Sequence, residues 1–168
     1  MTYLDIDRAI VDITRRICRE CKARLDATPK TNTTERKALQ LEYGIDTFCG
    51  NAGLLFNTGW DRARVYEIRR NFWEHTLGKY ETLRTLDLTL AEDEKRSLCA
   101  SLQAELFLRD SWLPEQYRDL SAAKEAGDAD GIFEQTVKIG AAEAMFDAWE
   151  NWRRENNVYP HIIEEILQ

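Results

Sequence analysis

Apolar residues recur at spacings of three and four along almost the whole chain, and alternating apolar/polar stretches are nearly absent. A helix turns by about 100° per residue, so such spacing gathers the apolar groups on one side of successive helices. The pattern predicts an all-α fold: a compact bundle of six to seven helices forming a single helical domain over residues 1–168.

The first predicted helix runs from about Tyr3 to Ala27, with Ile6, Ile10, Ile13, Ile17, Cys21 and Leu25 on one stripe. Thr28-Pro29 ends it, because a residue before proline avoids helical geometry. A second helix starts near Thr33, with Asn32 as its cap and Glu35 at the third helical position. Its predicted seam is Ala38, Leu41, Ile45, Phe48, Ala52 and Leu55, and Asn57-Thr58-Gly59 closes it. Gly50 points away from that seam, which implies either a close helix crossing or a break near Gly50-Asn51-Ala52-Gly53. Further helices are expected from Asp61 to about Thr85 and from Thr89 through Leu98, Leu102 and Leu106. Another opens at Pro114 and stops at Gly127, a natural left-handed cap.

The segment from about 130 to 155 is expected to be the central, largely buried helix, because apolar residues surround most of its circumference. Gly140, Ala144 and Ala148 form a small-residue strip suited to close approach by a neighbour. Thr136, Glu143, Asp147 and Arg154 share its one polar side. Tyr159-Pro160 breaks it, and Ile162, Ile163, Ile166 and Leu167 suggest a short terminal helix.

Composition narrows the setting. A chain of 168 residues buries roughly 70% of its unfolded surface, so neither disulfides nor a metal is needed for folding. The N-terminal residues carry no basic leader followed by an apolar run, and no stretch approaches the ~18 apolar residues of a membrane span. A cytoplasmic protein with no membrane partner is the expectation, its four cysteines being free thiols. The net charge of −7 is uneven: residues 1–84 hold 15 Lys/Arg and 12 Asp/Glu, and residues 85–168 hold 8 and 18. The acidic second half disfavours nucleic acid over most of the surface.

Catalytic and metal signatures are sparse. Cys18 and Cys21 form a C-x-x-C pair that, with Cys49 and Cys99 or with His75, has the composition of a zinc site. The pair lies within a helix rather than on a tight turn, so the expected reading is small buried thiols, with no metal and no cofactor. Only two histidines occur, which removes di-iron and most triad chemistry. His75-Thr76-Leu77-Gly78-Lys79 resembles the His-x-Leu-Lys-Gly motif of histidine phosphotransfer domains, with its last two residues exchanged. That exchange moves both the glycine and the lysine by about 100°, and His75 reads instead as a histidine at the edge of the bundle.

What remains is surface. Arg15 and Arg19 lie with Arg8 and Lys22 opposite the isoleucine stripe, Arg69 and Arg70 crowd a later helix, and five tryptophans are many for this length. Trp112 and Trp152 are the expected exposed ones, and Trp and Arg dominate interface hot spots. The expected function is therefore a non-catalytic protein-binding regulator, adaptor or inhibitor that meets another protein through Arg15, Arg19, Arg69, Arg70, Trp112 and Trp152. A second reading is a small enzyme or ligand-binding protein with Glu143 and Asp147 as an acidic site inside the bundle. A third, less favoured, is nucleic-acid binding through the basic N-terminal half.

Overall fold

The computed structural model describes residues 3–58, 91, 105 and 108–158. All regular structure among them is helical, as the spacing predicts. The described residues include four α-helices whose limits are defined: α1 (Tyr3–Ala27), α2 (Thr33–Thr58), α3 (Leu113–Ala126) and α4 (Ala129–Glu155). A π-helical turn over Leu108–Trp112 leads directly into α3. The helices expected over 61–85 and, apart from Ala91 and Glu105, over 89–106, the terminal helix over 162–167, and His75, His161 and Cys99 lie outside the described residues. None of the described helices is long and apolar enough to cross a membrane.

Local chemistry sets the ends. The Thr28 hydroxyl donates to the Arg24 carbonyl at 2.7 Å as α1 runs out before Pro29. At the start of α2, Asn32 Oδ1 accepts from the Glu35 amide at 3.3 Å, while Asn32 Nδ2 donates back to Glu35 Oε2 at 2.5 Å. Pro114 occupies the first turn of α3. Gly127 ends that helix at φ 66°, in the left-handed region that glycine enters without a Cβ penalty. Asp128 then caps α4, its Oδ1 accepting from the Gly131 amide at 3.0 Å.

The result is two helical hairpins, α1–α2 and α3–α4, with α4 touching each of the other three helices. The main core joins Ile10 and Ile13 of α1, Ile45 and Cys49 of α2, Leu108 of the π turn, and Ala141, Ala142, Met145, Phe146 and Trp149 of α4. A smaller cluster of Cys21, Leu25 and Leu39 sits at the other end of the α1–α2 pair.

Two expectations about packing need correction. In α2, Ile45 of the predicted seam is buried, but Ala38, Leu41 and Phe48 are only half-buried; Leu39, Asp46 and Cys49 are buried as well. The helix lies between α1 and α4 and so has two contact faces, not one. In α4, burial is confined to one side, running through Ile139, Ala142, Met145, Phe146, Trp149 and Arg153. Gly140 and Ala144 belong to the solvent side together with Thr136, Glu143, Asp147 and Arg154. A Cβ built on Gly140 would meet nothing within 4 Å, so at Gly140 the strip receives no neighbour among the described residues. The helix is central by its contacts, not by enclosure.

Gly50 has the opposite explanation. α2 is continuous through it, and α1 crosses so closely that a Cβ at Gly50 would lie 2.9 Å from Thr14 Cγ2. This is the close crossing, not the break, of the two alternatives that the sequence leaves open.

The π turn is fixed to α4 by charge. Arg153 makes a bidentate pair with Glu105, Nη1–Oε1 at 3.0 Å and Nη2–Oε2 at 2.6 Å, with both residues buried. Arg109 Nε adds a second contact to Glu105 at 3.3 Å, and the Arg109 guanidinium stands 4.6 Å from the centre of the Phe146 ring.

Candidate functional site

Two places in the described structure concentrate chemistry. The first is a groove of about 840 Å³ between α1 and α4. Asp12, Arg16 and Arg19 line it from α1, and Asn151, Trp152 and Glu155 from α4, with Ile13 and Ala148 as apolar lining. The isoleucine stripe of α1 explains the arrangement. Packing that stripe inward turns the arginines on the other side of the helix outward, beside the C-terminal end of α4.

Charges along α1 partly cancel. Arg15 approaches Asp12 at 4.0 Å and Arg16 approaches Glu20 at 3.9 Å, both pairs well exposed and weak for that reason. Arg19 forms no ion pair with another described residue. Of the expected surface residues, the structure thus brings Arg19 and Trp152 together in one groove, with Arg15 exposed on the same helix. Trp152 is half-buried, not fully exposed. Trp112 is occupied elsewhere: it is half-buried against the main core, its ring 5.6 Å from that of Phe48. Arg69 and Arg70 lie outside the described residues.

The acidic pair expected inside the bundle is not inside it. Glu143 and Asp147 both face outward. The Tyr117 hydroxyl donates to Glu143 Oε1, and this hydrogen bond raises the tyrosine pKa above its ordinary value. Arg154, on the same side, pairs with Glu150.

The second place lies on the inner face between α1 and α2. Cys21 Sγ and one carboxylate oxygen each from Glu42 and Asp46 all lie within 4.8 Å of one another. Arg24 grips Glu42 in a two-point pair, Nη1–Oε1 at 3.2 Å and Nη2–Oε2 at 2.9 Å. Cys21 and Cys49 are buried and Cys18 half-buried, all as free thiols. Asp46 is only 1% exposed. Its Oδ2 is buried without a hydrogen-bond partner.

Electrostatics here run against ionisation. Burial, then the neighbouring Glu42, pushes the Asp46 carboxyl up to about 6. Burial, then Glu42 and Asp46, pushes the Cys21 thiol up to about 12. Burial, Asp46 and Cys18 do the same to Cys49, also to about 12. Sequence reading found the thiols and missed the acids. The signal was present: Leu39, Glu42, Asp46 and Cys49 recur at three and four, so two carboxylates share the α1-facing side of α2.

Comparison of the chain with protein-family models, with curated proteins and with solved structures finds no match.

Proposed function

We propose that this chain is a non-catalytic protein-binding regulator, adaptor or inhibitor, and that the groove between α1 and α4 is its contact surface. The observation that carries this reading is the meeting of Arg19 and Trp152 in one groove. An arginine with no ion pair among the described residues and an indole beside it are the two side chains that most often anchor protein interfaces. The guanidinium offers planar, two-point hydrogen bonding to a carboxylate, and the indole offers apolar area with a polar edge. The matching partner surface presents a carboxylate next to an apolar side chain. Arg16 lines the same groove and would steer an acidic segment toward it.

The test is parallel affinity capture from cell extract with the wild-type chain and with the Arg19→Glu/Trp152→Ala double variant, followed by mass spectrometry. The expected result is one protein recovered stoichiometrically by the wild type and lost by the folded variant. Recovery of nothing, or equal recovery by both chains, overturns the reading.

A further inference from the structure

We propose that Cys21, Glu42 and Asp46 form a binding site for a divalent transition-metal ion, zinc before others, held between α1 and α2. This site is separate from the α1–α4 groove and does not depend on the function assigned to it.

Three observations carry the inference. The donor atoms are already gathered: one sulfur and two carboxylate oxygens within 4.8 Å of one another, drawn from two helices. The two helices are held in register beside them by the two-point Arg24–Glu42 pair. Finally, Asp46 is 99% enclosed, yet its Oδ2 has no hydrogen-bond partner. Buried polar atoms in folded proteins are almost always satisfied, and an unsatisfied oxygen on a buried carboxylate beside a thiol and a second carboxylate calls for a cation or a proton. Arg24 answers Glu42, but no described cation hydrogen-bonds to Asp46.

The donor set selects the metal. Magnesium and calcium take oxygen ligands, and a thiolate in the set excludes them as the preferred occupants. Zinc accepts sulfur and carboxylate oxygen together in a four-donor shell. Cys21, Glu42 and Asp46 supply three donors, which leaves the fourth position to water or to a flanking thiol, Cys18 on α1 or Cys49 on α2. Binding releases the Cys21 proton to solvent, and the bound cation replaces it as the group neutralising the cluster.

The experiment uses the full chain, stripped with chelator and titrated with zinc against a chromophoric competitor, then repeated with cobalt for its spectrum. The wild type is expected to hold one zinc per chain and to show a thiolate-to-cobalt charge-transfer band. Asp46→Asn and Cys21→Ala are expected to weaken zinc binding by at least the roughly 10–100-fold that loss of an outer-shell partner alone costs. Cys21→Ala also diminishes the charge-transfer band. Circular dichroism establishes that each variant is folded, and Glu42→Gln replaces any that is not. The proposal is overturned by a wild type that holds no stoichiometric zinc, by a cobalt complex without a thiolate band, or by variants that bind zinc undiminished.

Discussion

The indole Nε1 of Trp149 donates to Thr14 Oγ1 at 2.9 Å, joining α4 to α1 across the middle of the core. The same hydroxyl donates to the Ile10 carbonyl at 2.8 Å, so one buried side chain both accepts and donates. Replacing Thr14 by valine keeps the shape and removes the acceptor, leaving a buried indole N–H unpaired. The expected cost is about 1–3 kcal/mol, measured by urea unfolding with an unchanged denaturant slope. Thr14→Ser, which retains the hydroxyl, should recover most of the hydrogen-bond contribution.

The glycines of α2 and α4 should separate cleanly. At Gly50 an added methyl meets Thr14 Cγ2 at 2.9 Å, and Thr14 is held in place by its two hydrogen bonds. Gly50→Ala is therefore expected to destabilise by about 1–3 kcal/mol through overpacking. A Cβ on Gly44 or on Gly140 meets nothing within 4 Å, and both lie inside helices. Gly44→Ala and Gly140→Ala should each stabilise by about 0.5–1 kcal/mol, the difference in helix propensity. Thermal unfolding of the three variants gives one lowered Tm and two raised ones if the helix crossing is as described.

These positions show what the sequence makes legible. The helix limits at Ala27, Thr33, Thr58 and Glu155 follow from local signals, namely Pro29, the Asn32–Glu35 cap and the spacing of apolar residues. The inward stripe of α1 is equally local, since that helix presents one face to its neighbours. Prediction fails where a residue's environment is set by another part of the chain. Glu105 and Arg153 look like surface charges in isolation and are buried because each finds the other across 48 positions. Gly140 and Ala144 look like a packing strip, but both are exposed and no helix among the described residues uses them. Helical phase puts Glu143 and Asp147 on one side of α4, and only tertiary packing decides that this side faces water. Of the binding surface, Arg15 and Arg19 could be placed outward from helical phase alone; that Trp152 joins Arg19 and that Trp112 turns to Phe48 could not.

The Glu105–Arg153 pair should be costly to break and nearly neutral to replace. Glu105→Ala leaves the Arg153 guanidinium buried and also strips Arg109 of a contact. The expected loss is roughly 3–5 kcal/mol, as for other buried pairs deprived of one partner. The double variant Glu105→Leu/Arg153→Met removes both charges and should regain most of that loss. Denaturant unfolding of Glu105→Leu, Arg153→Met and the double variant forms the cycle that checks it.

Asp46 makes stability depend on pH in the direction opposite to most carboxylates. Its folded-state pKa is about 6, raised from 3.8 by burial and then by Glu42, with Arg24 and the Cys21 thiol opposing. In the window between those values the native state holds a proton that the unfolded chain has released. Stability from this group is therefore greatest below about pH 4, declines as pH rises through about 6, and is flat above. A shift of two units corresponds to about 3 kcal/mol lost by neutral pH, an upper figure for a group that can relax. In chelator-treated protein, Asp46→Asn should match the wild type near pH 4 and exceed it by up to about 3 kcal/mol near pH 7. Adding zinc should reverse that order, because a bound cation stabilises only the chain that retains the carboxylate. Unfolding curves collected from about pH 4 to 7, with and without zinc, decide the matter. A difference between the two chains that stays constant over that range would show that Asp46 does not titrate there.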